Sequence, residues 1–463
     1  AGPPPADGAW AARGAAVYES LSRADPEAVW SFQGFAFEAW PDDARHASWL
    51  RGFAAAAPAG RFSVVDMDYG AGEWHKWGGA AFFGAKFIWS ALHNFGGTDG
   101  IKGNLTRVAE MPFAAQEAGG NVWGTGFTPE GIDQNPAFYD LLVEQPWRAA
   151  RLPDVGAALV ARAQRRYGLP SPAPEVGRAW RALAGSMYSR DVGVQDSTGV
   201  AHLPGTSTWD FLADGHTPGG ALCDTFGAWS ELVRVAPRVP AGEPFRHDLV
   251  DLGRDVLARL STPASRDFHA AAFPGRGAPS AGNVSRLGRA YLDLLGDLDT
   301  LVGTDPAFLL GPWLAWARSF AQGAADCAAP GYPAVASCAD FYEWNARAQL
   351  TSWNPTPEGA ARVPSGPIDY AAKHWNGLIG GYYRERAARI MRLALAAAAR
   401  GEAVRPADVD SAVARVTFEW TTAFGTRYPE EPVGDAVATS RAMLRKYAPF
   451  FASCAPDTLD VLV

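Results

Sequence analysis

Apolar positions along the chain change their period near residue 150. Before that point four short apolar runs, Val29 to Phe35, Phe62 to Met67, Lys86 to Phe95 and Asn121 to Phe127, alternate with helical stretches that begin near Ala9, Pro41, Asp99 and Asn135. Each run is apolar or nearly so and ends in small, amide or acidic residues, the pattern of parallel strands whose helices cover one face. Four such units make half of a (β/α)8 barrel, which cannot close its hydrogen-bond ladder with four strands. The other half is expected upstream; the alternative is a small open α/β sheet with edges of its own.

From about residue 151 the apolar residues recur at i, i+3, i+4 and i+7. The segments are Val155 to Tyr167, Val176 to Tyr188, Leu222 to Val235, His247 to Leu260, Val284 to Val302, Leu309 to Ala321, Phe341 to Trp353, Tyr370 to Ala399, Ala407 to Phe424 and Gly434 to Tyr447. Pro/Gly clusters at 169–174, 237–244 and 329–333 separate them. The expected fold class is therefore α/β plus all-α: the second half of a (β/α)8 TIM barrel over residues 1–150, followed by an all-helical C-terminal domain over 151–463. The apolar stripes of these helices are read as core.

Composition narrows the function. The 463 residues carry a formal charge of −8, and no Lys/Arg run is long enough to follow a phosphate backbone, so no nucleic-acid partner is expected. No apolar stretch approaches the roughly 20 residues that cross a bilayer, so no membrane partner is expected either. The 18 Trp favour carbohydrate, whose C–H faces stack on indole, although core filling accounts for the same count. The four cysteines, Cys223, Cys327, Cys338 and Cys454, have neither metal-ligand nor redox spacing, so zinc is not indicated. Cys327 and Cys338 bracket an Ala/Gly/Pro segment and can close a small loop in an exported protein; two unrelated thiols are the alternative. The opening Ala-Gly-Pro-Pro-Pro has no leader character and reads as truncated. Ala, Gly, Pro and Arg richness points to a high-GC bacterial gene and an extracellular, secreted enzyme, with a homo-oligomer compatible with everything seen.

Barrel chemistry sits on the loops that follow strand C-termini. These are Gln33 to Phe35, then Asp66, Asp68 and Tyr69, then His93 and Asn94, then Glu130. Glu130 lies in Gly-Thr-Gly-Phe-Thr-Pro-Glu-Gly-Ile, where small residues let backbone approach a ligand and Pro129 restricts the chain; a solvated loop glutamate is the alternative. Asp66 and Asp68 read as helix caps or sugar-hydroxyl acceptors. His93 reads as hydrogen-bonded scaffold or base, and Asn94 as a holder of a sugar hydroxyl. Glycoside hydrolysis requires two carboxyl groups, and this stretch offers one good candidate. Hydrolysis by two carboxyl groups requires no metal or cofactor, and none is expected.

At these residues the sequence resembles the α-N-acetylglucosaminidases of glycoside hydrolase family 89. The resemblance rests on Ala16-Val17-Tyr18-Glu19, Ala28-Val29-Trp30 with Gln33-Gly34, Phe87-Ile88-Trp89 with Leu92-His93-Asn94-Phe95-Gly96-Gly97, and Gly124-Thr125-Gly126 with Pro129-Glu130-Gly131-Ile132 and Gln134-Asn135. It continues through Arg166-Tyr167-Gly168, Asp340-Phe341-Tyr342-Glu343, Gln349-Leu350-Thr351 with Trp353, and Ile368-Asp369-Tyr370-Ala371. It implies retaining hydrolysis of terminal α-linked N-acetylglucosamine on glycans, with a helical domain completing the pocket. It makes Glu130 the nucleophile and sets Phe35, His93, Asn94, Trp353, Ile368 and Tyr370 around the sugar. Phe35 stands where lysosomal relatives carry Trp, so an aromatic wall is kept without the indole N–H. The family's general acid belongs to an Asn-Glu pair just upstream of a Pro-rich turn. This chain opens at that turn, Pro3-Pro4-Pro5, so the acid is expected outside it and the 463 residues alone are expected to be inactive. A noncatalytic sugar-binding protein is the alternative.

Overall fold

The computed structural model describes residues 7–34, 44–67, 73–77, 81–94, 96, 100–131, 135–190, 198–201, 219–240, 242–322, 327, 335–353 and 369–454. Two units emerge from the backbone contacts: one gathers 1–95, 102–155 and 188–194, the other 96–101, 156–187 and 195–463.

The first unit is built on four parallel strands, β1 (Trp30–Gln33), β2 (Phe62–Asp66), β3 (Lys86–Ala91) and β5 (Val122–Phe127), hydrogen-bonded in that order. Their register pairs Trp30 with Phe62, Val64 with Phe87, and Trp89 with Thr125, with a shift between Phe87 and Ile88 of β3. Helices α1 (Asp7–Ala24), α2 (Ala44–Ala56), α3 (Leu105–Glu117) and α4 (Pro136–Glu144) accompany them. Aromatic packing fastens helix to sheet: Phe53 of α2 stacks on Trp49 at 4.2 Å and meets Trp30 of β1 at 5.3 Å, while Phe32 meets Trp49 at 5.3 Å.

All four strands were expected to be buried, and two are not. In β1 Trp30 and Phe32 are half-buried while Ser31 and Gln33 are exposed. In β5 Trp123 is 53% and Phe127 49% exposed. These are the two outer strands of the sheet, each hydrogen-bonded to one strand among the described residues; β2 and β3, paired on both sides, are mostly buried. A two-residue antiparallel ladder pairs β4 (Gly103–Asn104), in a stretch expected to be helical from near Asp99, with β6 (Ser189–Arg190), in the region expected to be all-α.

The second unit is helical: α5 (Val155–Arg166), α6 (Pro174–Gly185), α7 (Gly219–Val235), α8 (Glu243–Ala272), α9 (Ala281–Val302), α10 (Leu310–Ser319), α11 (Cys338–Leu350), α12 (Arg384–Arg400), α13 (Pro406–Thr421) and α14 (Ala436–Tyr447). Most match the expected segments, with one correction. The segment Tyr370 to Ala399 is not one helix: Asp369 and Ala372 have positive φ (56° and 41°), and regular helix begins only after a π-helical turn at Ile379–Tyr383. Asp299 of α9 explains that turn, because its carboxylate accepts from Gly377 N (2.8 Å) and Gly380 N (2.9 Å), the orphan donors of the helix start.

The apolar stripe of α8 is core, as expected, with Leu249, Val250, Val256 and Leu257 fully buried. The helix also buries His247, Asp248, Asp251, Arg254, Asp255 and Arg259. Charges that deep must be partnered. Asp248 accepts from Arg166 and the Tyr167 hydroxyl, Arg259 donates to Asp255 at 2.7 Å, and Arg254 donates to Asp251 at 2.7 Å and meets His374 Nδ1 at 3.1 Å. His247 meets Asp305 at 3.3 Å.

Two disulfides close the helical unit. Cys327 pairs with Cys338, and Cys223 of α7 pairs with Cys454, 231 residues away, where Phe226 and Phe451 stack at 4.0 Å.

Candidate active site

The parallel sheet directs the carboxyl ends of its strands to one side, and the loops after β3 and β5 bring His93, Asn94 and Glu130 together there. The ladder runs past the strands: Thr128 N donates to Ala91 O at 3.1 Å, which sets Pro129 and Glu130 beside the stretch after β3. Glu130 N then donates to Asn94 Oδ1 at 3.2 Å. The Glu130 side chain is exposed.

Asn94 is fully buried, and its Nδ2 finds no hydrogen-bond partner among the described residues. Ser90 Oγ and Thr128 Oγ1 are likewise buried and unpartnered among them. Buried polar atoms rarely stay unpaired, and three of them sit near the ends of β3 and β5. Asp66, at the end of β2, is also fully buried.

His93 is 2% exposed and both ring nitrogens are engaged: Nε2 meets Asn135 Nδ2 at 2.9 Å and Nδ1 meets the Tyr139 hydroxyl at 2.8 Å. Its ring stacks on Phe138 at 4.4 Å. Burial, with the Lys102 charge adding to it, holds the imidazole pKa well below its ordinary value, so the ring is neutral. Asn135 also donates to Lys102 O (2.6 Å) and accepts from the Tyr188 hydroxyl (2.8 Å). Asn135, Tyr139 and Tyr188 were not singled out by sequence. Only the motif pair Gln134-Asn135 touched this network, and no spacing links positions 93, 135, 139 and 188.

In the helical unit Trp353 and Tyr370 come together, ring centroids 5.6 Å apart and edge to face at 81°. Trp353 is 53% exposed, an indole face open to a ligand. Asp369 sets Tyr370 in place: its N–H donates to Thr351 O at 2.6 Å, and its carboxylate, buried, takes Arg386 at 2.5 Å. Arg386 donates as well to Ala201 O and to the Tyr382 hydroxyl. Burial pushes the Asp369 carboxyl up against the pull of the guanidinium. Gly96, with φ of 62°, lies so close to the Tyr370 carbonyl that a Cβ would stand 2.1 Å from it. Phe35 and Ile368, like Asp68 and Tyr69, lie outside the described residues. Among the described residues no cluster of three or more His, Cys, Asp or Glu is arranged to hold a metal ion.

Comparison with known proteins bears on this arrangement. The α-N-acetylglucosaminidase tim-barrel domain matches residues 4–149 and the α-N-acetylglucosaminidase C-terminal domain matches residues 161–446. The chain is 34% identical to the α-N-acetylglucosaminidase of Homo sapiens over 452 residues, which is 95% of this chain and 55% of that protein. It thus spans about half the length of the curated relative it matches. Among solved structures it is similar to a family 89 glycoside hydrolase from Clostridium perfringens in complex with PUGNAc (TM-score 0.77, 21% identity, 95% of this chain and 46% of that one). A variant of the Clostridium perfringens protein with two Glu→Gln changes, in complex with its substrate GlcNAc-α-1,4-galactose, matches with a TM-score of 0.76 at 20% identity, over 97% of this chain and 47% of that one. At such identities these structures speak for the fold, a partial barrel followed by a helical domain. With one family domain matched across the strands and another across most of the helices, the chain belongs to the α-N-acetylglucosaminidase family, glycoside hydrolase family 89.

Proposed function

We propose that this chain carries the nucleophile and part of the sugar pocket of a retaining glycosidase that removes terminal, non-reducing α-linked N-acetylglucosamine from glycans. The observation that carries the reading is Glu130. It follows β5 at the carboxyl side of the parallel sheet, has its backbone N–H fixed by Asn94, and stands in the segment that resembles the family's nucleophile motif. Its carboxylate attacks the anomeric carbon while a second carboxyl group protonates the departing oxygen, and water then opens the glycosyl ester. The attacking and protonating groups stand about 5 to 5.5 Å apart in such enzymes. By the same resemblance the acid belongs to the Asn-Glu pair ahead of Pro3-Pro4-Pro5, so activity is assigned to the full-length protein.

Asn94 Nδ2 is suited to a sugar hydroxyl, and Trp353 with Tyr370 to the apolar face of a sugar ring; that Trp353, Tyr370, Phe35 and Ile368 meet the same sugar as Asn94 rests on the resemblance alone. His93, with both nitrogens engaged, serves the sugar indirectly. Two disulfides favour an oxidising compartment, which supports an extracellular, secreted location.

Glu130→Gln in the full-length protein is expected to abolish turnover of an aryl α-N-acetylglucosaminide. Glu130→Ala with added azide is expected to yield the glycosyl azide of opposite anomeric configuration. Near-normal turnover by the Gln variant removes the nucleophile assignment.

A further inference from the structure

The segment that presents Glu130 is gripped at two points by two consecutive residues. Upstream, Asn94 Oδ1 accepts from Glu130 N at 3.2 Å. Downstream, His93 Nε2 takes Asn135 Nδ2 at 2.9 Å. Donor and acceptor roles follow from the network. Lys102 O can only accept, so the Asn135 amide nitrogen gives it one hydrogen and His93 Nε2 the other. The proton of the neutral ring then sits on Nδ1 and points at the Tyr139 hydroxyl oxygen.

Asn135 is placed for this by its backbone. It adopts a left-handed conformation (φ 49°, ψ 56°) directly before Pro136 opens α4, and it is 1% exposed. Asparagine is among the few non-glycine residues that accept such a conformation. Its Oδ1 is then filled by the Tyr188 hydroxyl at 2.8 Å, in the stretch whose backbone also receives Leu105 N and forms β6 with β4. Every polar atom of the Asn135 side chain is thereby used inside the protein. Sugar binding has no call on it.

We propose, resting on the nucleophile reading above, that His93, Asn135, Tyr139 and Tyr188 are positioning residues that fix where Glu130 stands, and that none of them touches the substrate. His93 is the hinge pin: its neighbour Asn94 holds the carboxylate residue, and its own ring holds the far end of the same segment. Displacing a reacting group by about 1 Å costs on the order of 100-fold in rate, so loss of the downstream grip acts on the attack step and leaves ground-state sugar binding in place.

The test is the rate at which an α-configured 5-fluoro-N-acetylglucosaminyl fluoride esterifies Glu130 in the full-length protein, read by mass spectrometry of the peptide, beside kcat and KM on an aryl substrate. Asn135→Ala is expected to label about 10- to 100-fold more slowly and to lose kcat in proportion, with KM within about threefold of the parent. Tyr139→Phe and Tyr188→Phe delete one hydroxyl each; they are expected to move both rates the same way by a smaller factor, and they decide the matter if Asn135→Ala does not fold. Labelling at the parental rate in folded variants overturns the clamp while leaving the nucleophile assignment intact. Parental enzyme that takes no label on Glu130 removes the nucleophile assignment itself.

Discussion

Two histidines of the chain are tuned in opposite senses, and the environment of each says why. His93 is held neutral by burial and the Lys102 charge, whereas His247 is raised: its desolvation is outweighed by its hydrogen bond to Asp305 and by the charges of Asp251, Asp248 and Asp305. Raised in the folded state, His247 contributes stability that is present in acid and lost as pH climbs through its folded pKa. The lowered His93 works the other way, since the unfolded chain takes up its proton as pH falls below the ordinary imidazole range near about 6.5. Denaturant unfolding at graded pH should therefore show that His247→Gln lessens the loss of stability above about pH 6.5, by at most about 1.4 kcal/mol per pH unit, the slope for one proton. An unchanged slope would mean that His247 does not bind its proton more tightly when folded. Sequence exposed little of this. Charged residues spaced along 247–259 look like a solvated helix face, and only the packing turns that face inward. Glu130 and His93 were legible because barrel chemistry follows strand ends; their partners at 135, 139 and 188 were not, because hydrogen bonds across 42 to 53 residues leave no periodic trace.

Elements were read well where one helix or strand obeys one period, and poorly where a neighbour dictates the backbone. The centres of all four strands were visible, yet the exposure of β1 and β5 depends on what lies beside them. Tyr370 to Ala399 keeps an apolar period throughout, but Asp299 of α9 and the Asp369–Arg386 pair impose a non-helical start. Close approach of α8 to α7 offers a sharper case. A Cβ on Gly253 would stand 2.6 Å from Trp229 Cε2 and 2.8 Å from Leu301 Cδ2. Gly253→Ala should thus destabilise the helical unit by about 1–3 kcal/mol through overpacking, despite its gain in helix propensity. Gly177→Ala, in α6 with nothing within 4 Å of the new methyl, should instead stabilise by about 0.5–1 kcal/mol. Equal and opposite results in chemical denaturation would reverse the assignment of which glycine is there for space.

On the scale of the molecule, the chain is one half-barrel and one helical unit, and its crosslinks all belong to the helical part. In the chain-entropy view a crosslink gains with the length it closes, so the Cys223–Cys454 bond is worth about 5 kcal/mol and Cys327–Cys338 about 3. Replacing Cys223 and Cys454 together by Ser is accordingly expected to lower the thermal midpoint more than replacing Cys327 and Cys338. The short loop was foreseeable from its spacing; the long one was not, because nothing at position 223 announces position 454.

That long bond turns residues 223 to 454 into a covalent ring. A protease that cuts once anywhere inside it opens the ring without dividing the polypeptide, so on a gel the nick shows itself only after reductant is added. In a milieu rich in proteases, such a chain can be clipped in its helical half and still travel as one molecule.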